Sequence, residues 1–173
     1  KCGIRNNNFI LMPDLAFGFK SAPPAEAEAW LIQQGIDPSQ DRPLLGLTLI
    51  NWGAQNIQFH LQDRYEAAIA GAARFFVEQY GGKVVLIPQV WGPLPSQDDR
   101  VPARRVAALL GDLGNQVHLV NEPLPPELLK AVYGKMDLFI GTRMHSNIFA
   151  WSEGVPVIAI GYQHKTQGIA RML

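Results

Sequence analysis

The chain has 173 residues, 47% hydrophobic and 17% charged, with fifteen basic side chains balancing fifteen acidic ones. That suffices for one globular domain with a substantial core, and the lack of a basic face or stripe weighs against a nucleic-acid partner. The single cysteine, Cys2, excludes an intrachain disulfide, and no apolar run approaches the ~18–20 residues needed to span a bilayer.

The start is not a signal peptide, and without an initiating methionine it reads as the beginning of a piece excised from a longer chain. Residues 9–12 suggest a short strand, closed by Pro13 and Asp14. Residues 25–34, rich in Ala and Glu, suggest a helix ending at Gly35. A turn-rich connector over 37–43 follows. Then the rhythm becomes regular. Residues 44–50 read as a buried strand, with the loop Asn51, Trp52, Gly53 at its end. Residues 63–80 give the strongest helical pattern, with Tyr65, Ala68, Ile69, Ala72, Phe75, Phe76 and Gln79 on the expected inward face and Gly81 as the stop. Residues 83–87 form the next strand. Asp98 and Asp99 open a helix to about Leu110, with Pro102 in its first turn. Residues 117–120 are a strand, 125–132 a short helix, 137–140 and 156–160 two more strands, and 167–173 the start of a last helix. Strands separated by helices at these spacings require crossovers. The expected fold is therefore α/β, a doubly wound parallel sheet with helices on both faces.

Gly141 ends the strand at 137–140 and is followed by Thr142, Arg143, Met144 and His145 at the start of a helix. In an open α/β sheet, ligands bind beyond the carboxyl ends of the strands. A helix N-terminus there favours an anion. Arg143 offers a planar fork for carboxylate or phosphate, and His145 can give or take a proton near neutrality. The plainer account has Arg143 pairing with a carboxylate and His145 capping the helix. Lys165, past the next strand, would either approach the same anion or stand solvated at the first turn of a helix. Tyr162 would close the site or simply pack, and His164 reads equally as a polar surface residue. Trp52 and Trp91 lie in loops on the ligand edge and could stack on a sugar, although tryptophans are more often core. Asp98 and Asp99 read chiefly as an N-terminal charge pair, and His60 and His118 as structural. The chain has no G-x-x-x-x-G-K-[ST], G-x-G-x-x-G or G-x-S-x-G string and no Cys/His cluster with metal spacing. These absences weigh against a P-loop nucleotidase, a dinucleotide oxidoreductase, an esterase and a zinc enzyme.

The strings GTRMH at 141–145 and GVPVIAIGY at 154–162 with Lys165, together with PDLAF at 13–17 and VVLIP at 84–88, resemble the polysaccharide pyruvyl transferase family. That resemblance implies transfer of pyruvate from phosphoenolpyruvate to two hydroxyls of a sugar as a cyclic ketal, on a cell-surface or secreted polysaccharide. It implies a fold like one Rossmann-like half of a GT-B glycosyltransferase, with this chain as mainly the donor-binding C-terminal half. Arg143 and the Met144 backbone would hold the donor, His145 would act as general acid, and Lys165 would assist. Thr142, Asn51, Tyr162 and Gln163 complete the expected substrate contacts. No metal or organic cofactor is implied. The partners would be phosphoenolpyruvate, a glycan or lipid-linked sugar acceptor and an N-terminal domain. The location would be cytoplasmic or peripheral at the inner membrane face. One departure stands out: the family often ends its first strand here in arginine, where this chain has Ile50.

On this reading residues 1–42 are an interdomain segment and 43–173 the donor-binding domain, cut within its last helix. Two other readings stay open. One is a GT-B-type glycosyltransferase domain using a nucleotide sugar, with Glu122 or Glu153 binding the ribose. The other is a catalytically silent sugar-binding or assembly domain.

Overall fold

Five parallel strands form one sheet: β1 (Leu44–Thr48), β2 (Lys83–Leu86), β3 (Val117–Leu119), β4 (Leu138–Gly141) and β5 (Val157–Ala159). The structure is a computed structural model and describes residues 12–52, 60–161 and 168. The strand order is β3-β2-β1-β4-β5. The chain thus winds outward from β1 through β2 to β3, then crosses back to lay β4 on the other side of β1. That reversal makes a switch point between β1 and β4, where Thr48 is in register with Gly141.

Among the described residues, helices α1 (Pro24–Gln33), α2 (Gln62–Tyr80), α3 (Arg100–Leu109), α4 (Pro126–Tyr133) and α5 (Met144–Ser152) cover the two faces. Alternation along the strands sorts the core. Leu44 and Phe139 face one cluster with Leu31 of α1, Tyr133 of α4 and Phe149 of α5. Leu45, Leu47 and Ile140 face the other, with Ile69 and Phe76 of α2 and Val106 of α3. The fold is therefore Rossmann-like α/β, as expected. Residues 12–42 are not set apart from it: Ala27, Trp30, Leu31 and Ile36 are all buried in the first cluster.

The helical pattern of α2 is present but turned from the expected face. Glu66, Ile69, Ala70, Ala73, Phe76 and Val77 are buried, whereas Ala68, Ala72 and Gln79 are exposed and Phe75 is 58% exposed. Alanine on every side of this helix leaves its hydrophobic phase poorly marked, and adjacent Phe75 and Phe76 differ by ~100° around the axis. The strand suggested over 9–12 lies mostly outside the described residues, and Met12 is not in a strand. The helix expected over 167–173 lies there too, apart from Gly168. Gly81, at φ +67°, ends α2 in the left-handed conformation that the sequence leads one to expect of a stop.

Candidate functional site

At the switch point the backbone N–H of Thr142 donates to the Thr48 carbonyl at 3.2 Å, prolonging the β1–β4 pairing by one bond. The turn then enters α5 with Arg143 as its N-cap residue in an extended conformation. Asn147 donates from Nδ2 to the Gly141 carbonyl at 3.1 Å, and the two approach so closely that a Cβ on Gly141 would collide with Asn147 Oδ1. Ser146 donates its hydroxyl to the Arg143 carbonyl at 2.7 Å and lies 2.8 Å from Thr48 Oγ1. A serine hydroxyl has one hydrogen, so Thr48 is the donor in that second bond. Strand β1, strand β4 and the first turn of α5 are thereby stitched into one rigid corner.

Thr142 has no accessible surface. Its hydroxyl is 2.7 Å from the Tyr65 hydroxyl of α2. Burial pushes Tyr65 up to about 12, outweighing the opposing hydrogen bond from Thr142, so Tyr65 keeps its proton at physiological pH. Thr142 therefore supports the turn from behind. The preceding loop is tied down as well: Gln62 accepts from the Trp52 backbone N–H at 2.9 Å and donates to the Ile50 carbonyl at 3.2 Å. Ile50 is wholly buried. Trp52 is also buried, edge-on to Tyr65 with ring centres 5.4 Å apart.

Arg143 does pair with a carboxylate, but a buried one. Its Nη2 and Nε donate to the two oxygens of Asp99 at 2.6 and 3.0 Å. The Asp99 side chain is 1% exposed and that of Arg143 16%. Asp99 also accepts from the Val90 N–H at 3.0 Å. Burial drives its carboxyl above the ordinary value, while Arg143 and the Val90 and Gln89 backbone N–H groups pull it back. The neighbouring aspartate does something else: Asp98 accepts from the backbone N–H of Arg100 at 2.9 Å, and the Arg100 guanidinium holds its carboxyl below the ordinary value. The expected charge pair is thus two separate devices. Asp99 is the residue the sequence did not single out for this site, and it fixes both the direction and the reach of Arg143.

His145 is the open member of the turn. Its side chain is 55% exposed, with Nε2 3.9 Å from Asp14 Oδ2, beyond hydrogen-bonding range. Met144 and Asn51 are half-buried on the same edge. Tyr162, Gln163, His164 and Lys165 lie outside the described residues. The structure therefore brings Asn51, Thr142, Arg143, Met144 and His145 to one edge of the sheet. Of the carboxylates considered for a ribose, Glu122 accepts on Oε1 from Trp30 Nε1 at 3.0 Å, and Glu153 lies 3.7 Å from Lys130 Nζ. Among the described residues no group of three His, Cys, Asp or Glu could hold a metal ion. No helix among them is long and apolar enough to cross a membrane.

Residues 1–164 match the family model for polysaccharide pyruvyl transferase. The chain belongs to that family. A relative by sequence, the amylovoran biosynthesis protein AmsJ of Erwinia amylovora, is 32% identical to this pyruvyl transferase family member over 116 residues. That match takes in 65% of this chain and 27% of the relative, so the chain spans about a quarter of that protein's length. Among solved structures, one described as a putative UDP-N-acetylglucosamine 2-epimerase of Listeria monocytogenes superposes on 83% of this chain with a TM-score of 0.52. It is 21% identical and only 33% of it is matched, so this likeness speaks to the Rossmann-like fold alone.

Proposed function

We propose that this chain is the donor-binding part of an enzyme that moves a pyruvyl group from phosphoenolpyruvate onto two hydroxyls of a polysaccharide sugar as a ketal. The observation that carries the reading is the Gly141–His145 corner at the switch point, where buried Asp99 holds Arg143 and His145 stands open beside it. The first turn of α5 presents backbone N–H groups and a positive dipole end to the same space. Arg143 contributes a guanidinium whose Nε and Nη2 are directed at Asp99, leaving Nη1 as the end that can meet a phosphate or carboxylate.

His145 serves as the general acid. Protonating the methylene carbon of the enol makes its neighbouring carbon electrophilic. One sugar hydroxyl adds there and phosphate departs with the electrons of its C–O bond. The second hydroxyl then closes the ketal, and the protons of the two hydroxyls balance the one gained by carbon and the one carried off by phosphate. The intact enzyme would contribute a second domain, and Lys165 would add a cation to the anion site.

A thermal-shift comparison tests this reading on the chain. Phosphoenolpyruvate should raise the unfolding temperature, because a ligand that binds only the folded state stabilises it by mass action. UDP- and GDP-sugars should not. Stabilisation by a nucleotide sugar and none by phosphoenolpyruvate would replace pyruvyl transfer with glycosyl transfer.

A further inference from the structure

Beyond the carboxyl ends of β2 and β3 lies a pocket of about 150 Å³. Ile87 and Val120 form its buried floor, and Trp91, Pro123, Leu124 and Leu129 contribute apolar walls. Two polar side chains line it as well, Gln89 and Glu122. Gln89 Oε1 is buried and accepts no hydrogen bond from any described residue. Glu122 takes both of its bonds on Oε1, from Trp30 Nε1 at 3.0 Å and Gln34 Nε2 at 3.2 Å. Those bonds orient the carboxylate and leave Oε2 without a partner among the described residues.

The Glu122 carboxylate accepts, and the Gln89 amide both accepts and donates, so hydroxyls, which do both, suit this pocket. A carboxylate at the rim repels an anion, which sets the pocket apart from the Arg143 corner. The volume is below the ~300–1,000 Å³ of sites for drug-sized ligands, so one ring fits and a nucleotide does not. Apolar walls call for an apolar face on that ring. The Trp91 indole is held rigid, donating from Nε1 to the Pro88 carbonyl at 3.1 Å with the Arg100 guanidinium 4.4 Å over its ring. A single ring with hydroxyl donors at its edge and C–H groups on its face is a pyranose. We propose that this pocket binds one sugar ring of the acceptor. The assignment rests on the pyruvyl-transfer reading for the word acceptor, and on the pocket itself for the word sugar. Asp99 links the two places: it accepts from the N–H of Val90, next to Gln89, and holds Arg143.

The test uses ¹⁵N-labelled chain, following the Trp91 indole and Gln89 side-chain amide signals. Methyl glycosides of galactose, glucose and mannose are titrated in, with phosphoenolpyruvate and UDP as separate arms. At least one glycoside should move both signals saturably, and neither phosphoenolpyruvate nor UDP should compete with it. Leu124→Trp should fill the pocket and abolish the response. Gln89→Leu removes the unsatisfied acceptor, so it should weaken glycoside binding about tenfold or more while leaving the unfolding temperature equal or higher. Should Leu124→Trp fail to fold, Gln89→Leu decides alone. Unmoved signals at the solubility limit of every glycoside, a response surviving in a folded Leu124→Trp chain, or tighter binding of UDP would each overturn the proposal. A glycoside that binds here while phosphoenolpyruvate gives no thermal shift would sink the donor reading and leave the sugar site standing.

Discussion

His145 and Arg143 are close neighbours in sequence with opposite surroundings, and substitutions at the two sites should differ accordingly. His145 is exposed at the mouth of the turn, its nearest carboxylate 3.9 Å away. In the intact enzyme His145→Gln should keep phosphoenolpyruvate affinity within about twofold while slowing turnover by ~10²–10⁴-fold, since a general acid acts in the transition state. Single-turnover kinetics alongside donor titration would separate the two, and a rate within twofold of the parent would remove His145 from the mechanism. Asp99, the anchor of Arg143, tests the opposite case. Asp99→Ala would leave Arg143 and the Val90 N–H without their buried partner, and breaking a buried pair by removing one partner costs ~3–5 kcal/mol. Urea unfolding should show that loss, and an unfolding free energy within about 1 kcal/mol of the parent would mean the pair does not anchor the turn. Of these two residues the sequence marked only His145. Asp98 and Asp99 are the same residue type at the same helix start, and the partner of Asp99 is 44 residues away. Only the crossover from β3 to β4 brings Arg143 to it, so local spacing could not tell the two aspartates apart.

At the level of elements, the corner between β4 and α5 depends on Gly141 having no side chain. A methyl group there would collide with Asn147 Oδ1 and sit 2.8 Å from Phe139 Cε1. Gly141→Ala should therefore cost ~1–3 kcal/mol, typical of overpacking in a filled interior. It should weaken phosphoenolpyruvate binding too, because the Asn147 amide that fastens the turn must move. Gly71 is the control. It lies on the exposed side of α2 with nothing within 4 Å of where a methyl would sit, and alanine in a helix interior gains ~0.5–1 kcal/mol over glycine. Equal effects of the two substitutions in chemical denaturation would show that close approach at Gly141 carries no weight. The strands were legible because each is a short apolar run bounded by turn residues, and the crossovers between them left parallel pairing as the consistent solution. The face of α2 was not legible, because Glu66 is buried at 3% exposure. Its carboxylate accepts there from Gln62 Nε2 at 2.7 Å and Arg105 Nη1 at 3.3 Å, and periodicity arguments place a glutamate outside. The site's outline was legible too, as a turn at a strand end. Its supports were not: Tyr65, Thr48 and Asp99 reach the turn through tertiary contacts that no spacing encodes.

At the scale of the whole molecule, the question is what lies against the mouth of the site. The short 3-10 turn Leu15–Gly18 is capped by Asp14, whose side chain accepts from the Ala16 N–H, and the same carboxylate approaches His145. Beside it Met12 is 62% exposed and Leu15 82% exposed. Two large apolar side chains in water at the rim of the candidate site suit a surface that is covered in the complete protein. We propose that a second domain of the intact enzyme closes over them, which would also shield His145 from water. Leu15→Glu tests this by where its effect is felt. In this chain alone the side chain touches little, so unfolding should change by no more than ~0.5 kcal/mol, as for ordinary surface substitutions. In the intact enzyme the glutamate would have to be buried against the other domain or hold the cleft ajar. Burying an unpaired carboxylate is costly enough that the cleft should open instead. Turnover should then drop with little change in phosphoenolpyruvate affinity, and small-angle scattering should report a larger radius of gyration in the presence of both substrates. Full activity and an unchanged radius would place the domain contact on another face of the chain.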